Sequence, residues 1–380
     1  MQRIYLDNAA STPLDPEVFE YMVPILRDLH GNPSSVHAHG RSQRALIEQS
    51  RKDIAACIGA APAEIFFTSG GTEADNMAIW GSVRGLGVKH IITTRIEHHA
   101  VTHPVEHLER EGIKVTWLPV DRFGHPELDA LEQSLRSEPN ALVSLMHANN
   151  ELGTILDLAS VSAICKKHGA YLHSDTVQSM AHIQYNLSEM DVHFVTASAH
   201  KFYGPKGVGF LYVKSGAKIP SFIEGGSQER NMRAGTENVA GIAAMAFSLK
   251  KCYGNLESKT RHLEGLRERM RKGLENHVHG LVFNTPTNEG ASIPTVLNVA
   301  FPGEELESMM LFNLDINGIS ASGGSACTSG SVKGSHVLSG IGCSAARSAN
   351  SVRFSFGIQN TEQEIDLALE RIAKLVQVPA

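Results

Sequence analysis

Cysteine is scarce and scattered in this chain: Cys57, Cys165, Cys252, Cys327 and Cys343, with no C-x-x-C pair. An odd number of distant thiols makes neither a disulfide framework nor a zinc knuckle, and it suits a reducing cytoplasm. Long apolar runs are absent too; none approaches the roughly 18 residues that span a bilayer. The opening MQRIYLDNAASTP lacks the apolar stretch of a secretory signal. Nor is there a basic excess. Lys and Arg number 34 against 40 Asp and Glu, a net charge of −6 that disfavours nucleic acid or a membrane surface as partner.

What is present suffices for a large core and two domains: 380 residues, 42% of them hydrophobic. Between about residues 64 and 215, EIFFTS, HIITT, KVTWLPV, ALVSLMH, AYLHSD, FVTAS and VGFLYVK read as strands. AIWGSVRGLG, AVTHPVEHLEREG, LDALEQSLRS and LASVSAICKKHG read as helices among them. Such alternation predicts a mostly parallel sheet covered on both faces. FVTAS and VGFLYVK are joined too closely for a helical crossover, so that pair is predicted antiparallel. After about residue 240 the pattern is helical through RKGLEN, then gives strands TVLNVAF and SVRFSFG and a last helix, TEQEIDLALERIAKLV. That reads as a smaller α+β domain hung on one long helix.

In open α/β sheets, ligands bind beyond the carboxyl ends of the strands. EIFFTS is followed by Gly70, Gly71, Thr72 and Glu73, small residues that expose N–H groups at a helix start and suit a phosphate. The plainer alternative is a helix capped by Ser69 or Thr72. HIITT leads to His98, ALVSLMH to Asn149, AYLHSD to Asp175 and then Gln178, and FVTAS to Ser198, His200 and Lys201. Each alone has an ordinary alternative: Asn149 builds a turn, Asp175 caps a helix, His98 is a satisfied interior ring. Together they set an anion site, a carboxylate, a flat ring and an amine along one sheet edge. Pyridoxal phosphate needs those groups: a lysine for the Schiff base, a carboxylate for the pyridine nitrogen, donors for the phosphate.

A competing pattern is His103-Pro104-Val105-Glu106-His107, which matches H-x-x-E-H. No third metal ligand accompanies it, and Pro104 predicts the first turn of a helix, so these read as solvated helix residues. Cys57, Cys165 and Cys252 fall in helical patterns and read as packed small residues. Cys327 differs. It lies in SASGGSACTSGS, a stretch with almost nothing that could pack, where a thiol is exposed to oxidation unless it is used. Cys343, in IGCSAARSAN, is the thiol most easily mistaken for it.

Ten motifs in order resemble the NifS/IscS-type cysteine desulfurases, pyridoxal-phosphate enzymes of the class V aminotransferase group. They are YLDNAASTPLDPEV, GNPSSVHAHG, EIFFTSGGTEADNMAI, EHHAV, SLMHANNELGT, HSDTVQS, SAHKFYGPKGVGFLYV, GGSQERNMRAGTENV, GSACTSGS and SVRFSFG. The resemblance implies the fold type I architecture of PLP-dependent aminotransferases. A mostly parallel seven-stranded sheet would form a large domain over residues 15–255. Residues 1–14 and 256–380 would form the smaller α+β domain carrying the Cys327 loop. Lys201 would hold the cofactor aldehyde, Asp175 the pyridine nitrogen and Gln178 the phenolic oxygen, with His98 stacked on the ring as a proton donor or acceptor. Gly71, Thr72, Ser198 and His200 would hold the phosphate, joined by Thr236 from the second subunit of a homodimer. Asn149, at the cofactor, and Arg353 would bind the carboxylate of L-cysteine, and Cys327 would take its sulfur for an acceptor protein, an Fe–S scaffold or a tRNA-thiolation protein. Thr176, Ser11 and Gly323-Gly324 depart from the usual pattern without removing any of these groups. Selenocysteine lyase, another pyridoxal-phosphate lyase or aminotransferase, and a non-catalytic sulfur relay are the rival readings.

Overall fold

The computed structural model describes residues 2–138, 140–303, 309–324 and 334–377. A seven-stranded sheet runs in the order Ile65–Thr68, Gly209–Val213, Phe194–Ser198, Tyr171–Asp175, Ala141–Ser144, His90–Thr94, Lys114–Leu118. All neighbours pair in parallel except Gly209–Val213, which is antiparallel to both strands beside it. The short link from Ser198 to Gly209 leaves no room for a crossover, and the chain doubles back as expected.

Adjacent residues on these strands enter different cores. Phe67, Ile92, Val143, Val195 and Phe210 pack with Ile47, Ile54, Leu131, Val161 and Leu249 on one face. Their neighbours Phe66, Ile91, Leu142, Phe194 and Leu211 pack with Ala74, Met77, Val101 and Val105 on the other. A sheet buried on both faces needs continuous apolar strands, which is why these segments show no polar alternation. A separate cluster joins Ile4 and Leu6 to Leu263, Leu266, Met270, Val299, Phe354 and Ile365. It surrounds a three-stranded antiparallel sheet, Val282–Phe283, Val296–Ala300 and Ser351–Ser355.

Three details differ from the sequence reading. The long helix is two, Val239–Gly254 and Leu256–His277, broken at Asn255. Asn255 leaves helical geometry and its amide donates to the Lys251 carbonyl at 2.9 Å, replacing the bond that a continuing helix would make. The helix Gly71–Gly85 is capped by neither Ser69 nor Thr72; its N-cap is Gly70, with no side-chain cap at all. Pro104 lies in the second turn of the helix His99–Arg110, not the first. Its missing N–H would have met the Ala100 carbonyl, and Asn76 Nδ2 donates to that oxygen instead at 3.3 Å.

A buried ion pair ties the stretch after Gly209–Val213 back to the sheet edge. Arg51 and Glu229, with side chains 1% and 2% exposed, form a two-pronged contact at 2.8 Å on both oxygens. Glu229 also accepts from the Phe67 N–H at 2.8 Å. Glu229→Ala leaves a guanidinium without its main counterion in the interior, and should cost ~3–5 kcal/mol. Urea unfolding measures this; a loss below about 1 kcal/mol, the surface-pair value, would refute it.

Candidate active site

The carboxyl ends of the parallel strands and the chain's own N-terminal segment enclose a cavity of about 240 Å³. Its walls include Ala9, Ala10, Gly71, Thr72, His98, Asp175, Gln178, Ser198, His200, Lys201 and Arg353. Nine of the residues singled out in the sequence therefore share one space. The strand ending at Asp175 carries the carboxylate, its neighbour ending at Ser198 carries the amine three residues on, and the helix Gly71–Gly85 aims its N-terminus between them. Close packing holds that helix there: a Cβ on Gly71 would stand 2.8 Å from Val177 Cγ2.

Lys201 Nζ donates to the Ala9 and Ala10 carbonyls at 2.6 and 2.8 Å. Gln178 Nε2 shares the Ala9 oxygen at 2.9 Å. Asp175 accepts from the Val177 N–H at 2.9 Å, and burial, helped by the charge of Asp75, pushes its carboxyl up to about 7. Asp75 was not anticipated. It lies in the cavity wall, 1% exposed, 3.3 Å from His173 Nε2, and burial raises it to about 8. No sequence signal marks it, because an acid in a helix is ordinarily solvated.

His98 is the N-cap of the helix His99–Arg110; its Nδ1 accepts from the Ala100 N–H at 3.1 Å, which leaves the proton on Nε2. Burial, with the Lys201 charge second, lowers it to about 4, so the ring entering the cavity is neutral. His200 is lowered to about 4 by burial and the same lysine, and its Nδ1 meets Ser11 Oγ at 3.2 Å. Two of the departures from the usual pattern thus have partners, for the Thr176 hydroxyl donates to the Thr196 carbonyl at 2.7 Å.

Two expected residues lie elsewhere. Asn149 is not in this cavity: its Nδ2 donates to the Ile96 carbonyl at 3.1 Å, and its Oδ1 accepts from the Glu151 and Leu152 N–H groups at 2.9 Å. It builds the turn, the plainer of the two readings. The next residue, Asn150, lines the cavity instead, 8% exposed, its Oδ1 without a hydrogen-bond partner among the described residues. Thr236 is exposed in a different cleft, with Ser69, Gly207 and Arg233. Cys327 lies outside the described residues. The four described cysteines are held as thiols by burial, to about 11 for Cys57 and about 12 for Cys165, with Cys252 and Cys343 also raised. None of them lines the cavity.

His103 and His107 turn to different partners, His103 stacking on His99 at 4.5 Å and His107 meeting Glu111 at 3.2 Å. Among the described residues no group of three His, Cys, Asp or Glu is placed to hold a metal. No helix described is long and apolar enough to cross a membrane.

The residues present fit pyridoxal phosphate. An amine and a buried carboxylate face one cavity, a neutral ring enters it, and a helix N-terminus without a side-chain cap points its N–H groups at the same space. Comparison with known proteins agrees. The Aminotransferase class-V family model matches residues 4–368. A cysteine desulfurase IscS of Dictyoglomus turgidum is 44% identical over 378 residues, covering 99% of this chain and 95% of that one. A putative cysteine desulfurase of Bacillus subtilis is 41% identical, with 99% of both chains covered. Among solved structures, a NifS-like protein superposes with a TM-score of 0.91 at 36% identity and 99% coverage of each chain. SspA in complex with cysteine does so at 0.82, with 31% identity and coverage of 93% and 98%. The chain therefore belongs to the class V aminotransferase family of pyridoxal-phosphate enzymes, and within it to the cysteine desulfurases of the IscS and NifS kind.

Proposed function

We propose that this chain is a cysteine desulfurase that converts L-cysteine to L-alanine and keeps the sulfur as a persulfide on Cys327. The observation carrying this is the convergence of Lys201 and Asp175 on one cavity beneath an uncapped helix N-terminus. Thr72, Ser198, His200 and the Gly71 N–H would hold the phosphate, and Asp175 would pair with the pyridine nitrogen. His98 would stack on the ring, where its low basicity keeps it uncharged and its Nε2–H remains a donor. Pyridoxal phosphate, when bound, withdraws electrons from the substrate's α-carbon through its protonated ring. Lys201 would anchor the cofactor through its aldehyde, and its amine, when free, would move the α-proton. Arg353 grips the substrate carboxylate and Asn150, in place of Asn149, provides a polar wall beside it.

Cys327 attacks the sulfur of L-cysteine as thiolate; a sulfur–sulfur bond forms, the carbon–sulfur bond breaks, and its electron pair stays on carbon, which takes a proton to become alanine. The role of Cys327 rests on the GSACTSGS resemblance, supported by the raised, protonated state of the four other thiols, two of them buried. The finer reading has four parts. A homodimer brings the exposed Thr236 to the phosphate of the other subunit. Residues 15–255 act as the cofactor domain, and 1–14 with 256–380 as the smaller one. The persulfide passes to an Fe–S scaffold or a tRNA-thiolation protein. The protein works in the cytoplasm.

Incubating the purified, cofactor-loaded protein with L-cysteine and a thiol reductant should yield alanine and sulfide in equal amounts. Cys327→Ser should keep the cofactor's visible band yet lose persulfide, with alanine formation down on the order of 10²-fold or more, as for loss of a nucleophile. Pyruvate and ammonia as products would replace this reading with a lyase; alanine released at the normal rate by Cys327→Ser would place the acceptor elsewhere.

A further inference from the structure

We propose that Asp7 is a positioning residue that aims Arg353 at the substrate carboxylate. The proposal deepens the reading of Arg353 given above and rests on it. Arg353 is 1% exposed on the strand Ser351–Ser355, a place where a guanidinium needs fixed partners. It has two. Nη2 donates to Asp7 Oδ1 at 2.9 Å, and Nη1 donates to the Asn150 carbonyl at 2.9 Å. Its Nε is buried and has no acceptor among the described residues.

Arg353 lines the cavity, whereas Asp7 is not in the cavity wall. Asp7 therefore holds the group from outside, and a ligand reaching Arg353 from the cavity does not need to displace it. The backbone fixes Asp7 independently of its charge. Asp7 bridges Ser355, two residues from Arg353 on the same strand. Ser355 N–H donates to the Leu6 carbonyl at 2.7 Å, and Asn8 N–H donates to the Ser355 carbonyl at 3.3 Å. An acid on a clamped segment and a carbonyl on the Asn149–Asn150 turn thus pin two of the three guanidinium nitrogens. Nη1 and Nη2 each carry a second N–H, and those two are the pair that would meet an α-carboxylate, the bidentate recognition for which arginine is suited. The pairing also compensates a charge that would otherwise stand unneutralised beside the cavity.

The test compares two amines on the cofactor-loaded protein: L-alanine, which carries the carboxylate, and ethylamine, which lacks it. Both are titrated while the cofactor's absorbance is followed. Asp7→Ala should weaken L-alanine on the order of 10-fold, as loss of a supporting partner behind a ligand-binding group does, and leave ethylamine unchanged. Asp7→Asn, which keeps the acceptor oxygen without its charge, should fall between. With L-cysteine, the loss should appear in KM more than in kcat. On an Arg353→Ala background, Asp7→Ala should add nothing. Equal weakening of both amines, or unchanged L-alanine affinity, overturns the proposal; thermal melting of Asp7→Asn shows that the fold is intact. If Arg353→Ala itself binds L-alanine as the wild type does, the reading of Arg353 falls and takes this proposal with it. That result is distinct from one in which Arg353→Ala is weakened and Asp7→Ala is not.

Discussion

Lys201→Ala should fold, stay colourless when supplied with pyridoxal phosphate, and lose alanine formation from cysteine by at least ~10⁴-fold, since in the proposed function one amine would serve as both covalent anchor and proton carrier. The expectation follows from where the amine sits. It donates to backbone carbonyls of the N-terminal segment, Ala9 and Ala10, which hold it at the cavity wall. Removing the side chain uncovers those carbonyls to the cavity, so the stability cost should be small, on the order of 1 kcal/mol. Absorbance between pH 6 and 9, with a paired assay for alanine, measures both effects. A full visible band in the variant would show that another group anchors the cofactor.

Asp175→Ala should lower turnover by roughly 10²–10³-fold, the scale seen when a preorganised group facing a developing charge is removed. It should also change the protein before any cofactor is present. The carboxyl is raised to about 7 mainly by burial, and Asp75, raised to about 8, stands near enough for its charge to add to the shift. An unfolded aspartate ionises near 3.9. A folded value above the unfolded one means that the folded state holds the proton more tightly. That stability is fully present below about pH 4 and is lost as pH rises through 7 and then 8. The melting temperature of the cofactor-free wild type, measured relative to that of Asp175→Ala, should therefore fall between pH 5 and 8.5. A parallel pH dependence in the two proteins would contradict the buried, proton-holding state of this acid.

Much of this arrangement is readable in the residues. The seven strands are apolar runs bounded by polar turns, and their ends carry the amine, the carboxylate and the phosphate donors, because ligands collect where parallel strands stop. The helices Pro16–Asp28 and Ala38–Ile58 were not read, although Asp15-Pro16 is a start signal and Gly59 a left-handed stop. The single long helix failed for a local reason: Asn255 ends it with a side-chain bond that periodicity does not register. Asn149 and Asn150 are identical in type and adjacent, so nothing in their chemistry distinguishes the residue that ties a turn from the one that faces the cavity. Asp75 and Asp7 escaped because a carboxylate's pattern of neighbours in sequence says nothing of whether it is buried or what it faces.

Residue order by itself was enough for the family and the sheet, and it named nine residues that line the cavity, since those depend on local periodicity and on motifs a few residues long. Coordinates alone decided which of two asparagines enters the cavity, that the N-terminal carbonyls hold the lysine, that Asp7 pairs with Arg353 and that Asp75 lies in the cavity wall. Those facts depend on contacts between residues up to 346 positions apart, as for Asp7 and Arg353, and on burial, which arises only when the chain has closed around them.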